Sequence, residues 1–177
     1  VMQFIECDIE GVFRVYIEPR RDDRGFFART WCAEEFQQAG LCPSLSQMST
    51  AATHRRGTLR GVHFQQQPHW EEKLVRCTRG AAWVVAVDLR LDSSTHRQWV
   101  GFEISDENHT SIYVPQGCAQ GYQTLVDNTE LLYAMSKPYA PAASVGVRYD
   151  DPAFSIRWPL DVTHISQRDQ QWPDYQH

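Results

Sequence analysis

The chain has 177 residues, 42% of them hydrophobic, with 17 Lys and Arg against 22 Asp and Glu and a net charge of −5. That is enough apolar material for one domain over residues 1–177 with a substantial core, and the acidic balance argues against a general nucleic-acid binder. Five cysteines (Cys7, Cys32, Cys42, Cys77 and Cys118) form no C-x-x-C pair, which excludes a disulfide framework or structural zinc site from the expectation and suits a reducing cytoplasm.

Residues 12–17 have strand composition and stop at Pro19. Residues 20–25 are charged, end in glycine and read as a turn. A strand over 26–31, a short helix over 34–40 with a glycine stop, a strand over 44–48 and a polar loop over 50–56 follow. The central stretch reads Gly57-Thr58-Leu59-Arg60-Gly61-Val62-His63-Phe64-Gln65 and resumes at Lys73-Leu74-Val75-Arg76; both pieces read as strands. Residues 81–89 are a strong strand candidate, and strands over 99–104, 111–114, 118–125 and 130–136 are separated by Asp, Asn, Gly and Pro turn signals. Many short β runs at regular spacing indicate a sandwich or barrel. The tail from Pro152 is expected to be irregular or briefly helical and packed over the β body. No stretch reaches the length of a membrane span, and residues 1–10 lack the basic start and apolar run of a signal peptide, so a cytoplasmic protein without a membrane partner is expected.

A strand sends alternate side chains to opposite faces, so Arg60 and some of its neighbours point where a core would normally lie. A polar group there is costly unless paired or used. Either the β body has a polar lumen or this is an ordinary edge with solvated charges. If His63, Arg60, Lys73 and Tyr133 meet in one lumen, they supply a base, cations and a phenolic acid. That set suits proton abstraction next to a carbonyl. His54, His63, His69 and Glu71 could be grouped as metal ligands, but their spacing fits no ligand template, so no metal and no cofactor are expected. Arg24, Arg60 and Arg76 could hold a phosphorylated ligand. Cys118 reads as inert packing.

Several longer motifs occur together and in order: Asp23-Arg24-Gly25-Phe26-Phe27, the central stretch, Val87-Asp88-Leu89-Arg90, Tyr113-Val114-Pro115-Gln116-Gly117, Asp150-Asp151-Pro152, Ile156-Arg157-Trp158-Pro159 and Ile165-Ser166-Gln167-Arg168-Asp169. By these the chain resembles the dTDP-4-dehydrorhamnose 3,5-epimerases over nearly its whole length. The resemblance implies an all-β fold, a metal-free cupin-type double-stranded β-helix (jelly roll) with short peripheral helices. It also implies a homodimer with exchanged N-terminal strands, and a dTDP-4-keto-6-deoxyhexose substrate epimerised at C3, C5 or both. By resemblance His63 is the general base, Asp169 orients and charge-stabilises it, Lys73 steadies the enolate and Tyr133 is the acid on the opposite face. Arg24, Phe27, Gln47, Arg60 and Tyr139 match positions that bind the nucleotide sugar, as does Gln120.

The chain departs from the family pattern at a few places. Gln120 replaces the usual histidine, and Val84 replaces the aspartate that can pair with it. Losing both together is expected to leave no buried polar group without its mate. Ser49, Ala51 and Arg29 also differ from the usual residues and are expected to reshape the pocket near the sugar. The alternatives are a mono-epimerase, a 3,4-ketoisomerase on a related nucleotide sugar, or a non-catalytic nucleotide-sugar-binding cupin.

Overall fold

Residues 81–88, Ala-Ala-Trp-Val-Val-Ala-Val-Asp, are buried almost throughout, so both faces of this strand need cover. In the computed structural model, which describes residues 1–176, each face receives it. Ala82, Val84 and Ala86 enter the core between two sheets, beside Val75, Ile112 and Leu131. Val85 and Val87 face the other way, against Val147 and Phe154 from the C-terminal part of the chain.

The first sheet has the order β1 (Gln3–Glu6), β2 (Phe13–Tyr16), β10 (Thr110–Val114), β7 (Lys73–Arg79), β12 (Thr129–Met135) and β5 (Gln47–Thr53). The second has the order β13 (Ser144–Gly146), β6 (Thr58–Gln65), β11 (Cys118–Thr124), β8 (Ala81–Asp88) and β9 (Trp99–Ser105), with β14 (His164–Ile165) pairing parallel to β6. A separate hairpin joins β3 (Arg20–Asp22) to β4 (Gly25–Phe27). The outer face of the first sheet packs Val15, Leu74, Tyr113 and Ala134 against Phe36 of helix α1 (Ala33–Gln38). Helix α2 (Gln167–Gln170) is one short turn near the C-terminus. No helix among the described residues is long and apolar enough to cross a membrane.

Three expectations need correction. The loop expected over 50–56 is strand as far as Thr53, because β5 pairs β12 from Gln47↔Met135 to Thr53↔Thr129. Main-chain pairing carries this edge strand, and its small polar side chains concealed it. The strand expected over 26–31 ends at Phe27: β4 pairs only β3, both are exposed, and Ala28 and Trp31 beyond it pack against the outer core without joining a sheet. The turn expected over 20–25 is mostly the two arms of that hairpin. Strand β1 carries little apolar signal and was not anticipated.

Candidate active site

The site begins with a bulge. Strand β6 pairs β11 with His63↔Gln120 and Arg60↔Tyr122, so two residues, Gly61 and Val62, oppose Gly121 alone. Without the extra residue Arg60 and His63, three apart, would point to opposite faces. With it both face the lumen between the sheets. Gly61 makes this possible: its φ is +125°, and a Cβ there would lie 2.6 Å from Gly121 Cα.

Strand β14 runs beside the start of β6 and delivers α2 to the same place. Ser166 caps α2, its hydroxyl accepting the Asp169 N–H at 3.1 Å. In a capping box the third-position carboxylate folds back onto the cap; here Asp169 instead reaches His63. His63 Nε2 lies 2.6 Å from Asp169 Oδ1, and Gly61 N–H donates to Oδ2 at 3.2 Å. Burial alone would raise the Asp169 carboxyl above its ordinary range. The His63 contact, the Gly61 N–H and Ser166 outweigh that and hold it lowered. The carboxylate on Nε2 fixes the ring, leaving Nδ1 as the nitrogen outside this contact.

The facing wall comes from the first sheet. The pairs Lys73↔Met135 and Val75↔Tyr133 put Lys73 and Tyr133 on the lumen side, with Gln47, Ser49 and Ala51 beside them on β5. Burial pushes the Tyr133 phenol well above its ordinary pKa, with Gln120 and Arg60 opposing weakly, so it keeps its proton at neutral pH. Lys73 Nζ is 2.5 Å from Glu71 Oε1. Arg60 donates to Thr53 Oγ1 at 3.1 Å and to the Ala52 carbonyl at 3.2 Å. These groups surround a cavity of about 750 Å³, also lined by Gln120, Tyr139, Ser144 and Arg168. That volume suits a small-molecule ligand.

Of the residues singled out in the sequence, His63, Asp169, Lys73, Tyr133, Gln47, Arg60, Gln120 and Tyr139 meet around this cavity. Arg24 and Phe27 do not. They stand on the exposed β3–β4 hairpin, where Arg24 pairs with Asp22 at 2.5 Å and Phe27 is 77% exposed. Arg76 projects from the face of β7 opposite to Val75 and is absent from the cavity lining. Arg29 pairs with Glu35 at 2.6 Å and also lies off the cavity, so it does not reshape the pocket within one chain. The expectation that Gln120 and Val84 together leave no orphan is overturned: Gln120 Nε2 is buried without a hydrogen-bond partner among the described residues, while Val84 belongs to the apolar core. The roles of Gly61 and Glu71 were missed. A glycine inside a strand pattern was the available signal for the bulge.

The model of the dTDP-4-dehydrorhamnose 3,5-epimerase family matches residues 6–177. The chain belongs to this family. A dTDP-4-dehydrorhamnose 3,5-epimerase of Sinorhizobium fredii is 39% identical over 160 residues, covering 89% of this chain and 82% of its own. A dTDP-4-dehydrorhamnose 3-epimerase of Streptomyces niveus is 35% identical over 169 residues, covering 96% and 82%. The crystal structure of dTDP-4-dehydrorhamnose 3,5-epimerase from Bacillus anthracis, with TDP and pyrophosphate bound, superimposes with a TM-score of 0.95 at 34% identity, covering 98% of this chain and 99% of that one. The two facing antiparallel sheets are therefore the cupin jelly roll of the 3,5-epimerase family, and the protein is a sugar epimerase, an isomerase.

Proposed function

We propose that the protein inverts C3, C5 or both of a dTDP-4-keto-6-deoxyhexose, as in dTDP-L-rhamnose biosynthesis, with no cofactor. The reading rests on one observation above all: the base and the acid stand on opposite sheets. His63, backed by Asp169, comes from β6 of the second sheet, and Tyr133 comes from β12 of the first. A ketone at C4 acidifies the protons on C3 and C5. His63 removes one of them, and the electron pair moves onto the C4 oxygen as an enolate. The Lys73 ammonium steadies that oxygen. Tyr133 then gives its proton to the carbon from the far side, which inverts the centre. His63 releases its proton to solvent and Tyr133 takes one back, so no net change of charge or oxidation remains.

Gln47, Arg60 and Tyr139 line the cavity and in this reading hold the nucleotide sugar. Gln120 adds a buried amide donor beside Tyr133 that makes no hydrogen bond among the described residues, suited to a ligand oxygen. Arg24 and Phe27 can serve the site only from a second subunit whose N-terminal strands cross over. The test is incubation in D₂O with dTDP-4-keto-6-deoxyglucose, with C3 and C5 followed by NMR. Deuterium at both carbons marks a 3,5-epimerase, and deuterium at one marks a mono-epimerase. Binding without deuterium at either carbon rejects epimerisation of this sugar.

A further inference from the structure

The mechanism uses Lys73 but gives no role to Glu71. Residues 71 and 72 are both glutamates, and the extended chain sends them to opposite sides. Glu72 turns toward α1, where its carboxylate accepts the Ser136 hydroxyl. Glu71 turns into the cavity and meets Lys73, and both are only 8% exposed. The carboxylate is held in place from behind. Gln65 Nε2 donates to Glu71 Oε2 at 2.9 Å and to the His69 carbonyl at 2.9 Å, while Gln65 Oε1 accepts the Ala140 N–H at 2.6 Å. Through Gln65, Glu71 is thus anchored to backbone on two segments.

A buried ammonium keeps its charge only beside an opposite one. Among the described residues lining the cavity only Glu71 and Asp169 are acidic, and Asp169 is engaged by His63. Arg60 and Arg168, with His63 and His164 when protonated, add positive charge that disfavours an ammonium. Burial raises the phenols of Tyr122 and Tyr133 and keeps them neutral, while Tyr139 is half-exposed. Glu71 is the one counter-charge left for Lys73. A carboxylate partner tempers the pull of an ammonium on an enolate, but a neutral amine exerts almost none.

We propose that Glu71 is a positioning residue of the reaction, holding the Lys73 ammonium charged and aimed into the lumen. The enolate as its target rests on the function proposed above; the pairing itself does not. The chain has only two lysines, Lys73 and Lys137, so protein labelled with ¹³Cε-lysine gives two resolvable NMR signals. In Glu71→Gln at neutral pH the Lys73 signal is expected to leave the ammonium position for that of a neutral amine, with Lys137 as the unmoved reference. An unmoved Lys73 signal overturns the proposal. Should Glu71→Gln not fold, Gln65→Leu, which frees the Glu71 carboxylate from behind, serves instead: its Lys73 signal must move in the same direction, and an unmoved signal overturns the proposal. Neither reading uses substrate, so failure of the epimerase reading appears separately, as absent deuterium exchange in the unaltered protein. With substrate, Glu71→Gln should lower kcat at least about tenfold with KM little changed, because an enolate exists only beyond the ground state. An unchanged kcat contradicts the positioning role.

Discussion

At the scale of single residues, the two charged pairs of the site and its phenol are set by their surroundings. His63 has Asp169, Lys73 has Glu71, and burial keeps the proton on Tyr133. Replacing His63 by Asn removes the proposed base with little change in volume. Turnover is expected to fall by about 10²- to 10⁴-fold, with circular dichroism and melting temperature near those of the unaltered protein; near-normal turnover would assign the base elsewhere. Asp169→Asn should leave the ring in place but remove the carboxylate charge that pairs with it. An activity loss of roughly 10²-fold or more, read from initial rates, is expected. His63, Lys73 and Asp169 were legible because each sits in a motif with its own signature, whereas Tyr133 sits in none and was assigned through the resemblance. The Glu71–Lys73 pair was not, since two glutamates before a strand read equally well as solvated charge. The orphaned Gln120 amide was not legible either, because the expectation considered only one of its neighbours.

At the scale of elements, two local devices stand out, one shaping the site and one closing the end of a central strand. The first is the bulge on β6. Gly61→Ala would place a methyl 2.6 Å from Gly121 Cα at a φ that side chains rarely adopt. A loss of about 1–3 kcal/mol in denaturant unfolding is expected, with lower activity because Gly61 also donates to Asp169. The second is the cluster at the end of β8. Asp88 is fully buried and accepts from Arg90, Ser93 and Thr95. Burial raises its carboxyl, but these hydrogen bonds win and lower it to about 2. A carboxyl lowered in the folded state adds stability that is complete above its ordinary range. That contribution is lost as pH falls toward the lowered value. The structure should therefore lose roughly 2 kcal/mol from this group between about pH 4 and pH 2, a loss that Asp88→Asn should no longer show in acid unfolding curves. The central strands were legible in the sequence because they are apolar on both faces. Edge strands β1 and β5 were not, because most of their side chains are exposed and main-chain pairing supplies much of what holds them. The bulge was only hinted at by Gly61, since a two-for-one count depends on the register of the partner strand.

At the scale of the whole molecule, the two sheets form the walls of one lumen and the β3–β4 hairpin stands away from it. A chain that binds its substrate with Arg24 and Phe27 must receive them from a second copy. Light scattering is expected to give twice the chain mass of 20.5 kDa. Mixed dimers of His63→Asn and Arg24→Ala subunits should regain activity, since one site in each then has both residues intact; no recovery would place Arg24 outside the partner's site. The architecture was legible as a sandwich or barrel, whereas the approach of β14 and α2 to β6 depends on tertiary pairing that no local pattern carries. The claim on which the rest depends is that protons leave toward one sheet and return from the other. It is tested most directly by following Tyr133→Phe in D₂O with dTDP-4-keto-6-deoxyglucose, reading both deuterium content and configuration by NMR. With His63 intact and the facing acid gone, deuterium should enter the starting sugar with its configuration retained. Inverted, deuterated product formed at the unaltered rate would contradict the assignment of Tyr133 and the two-walled mechanism with it.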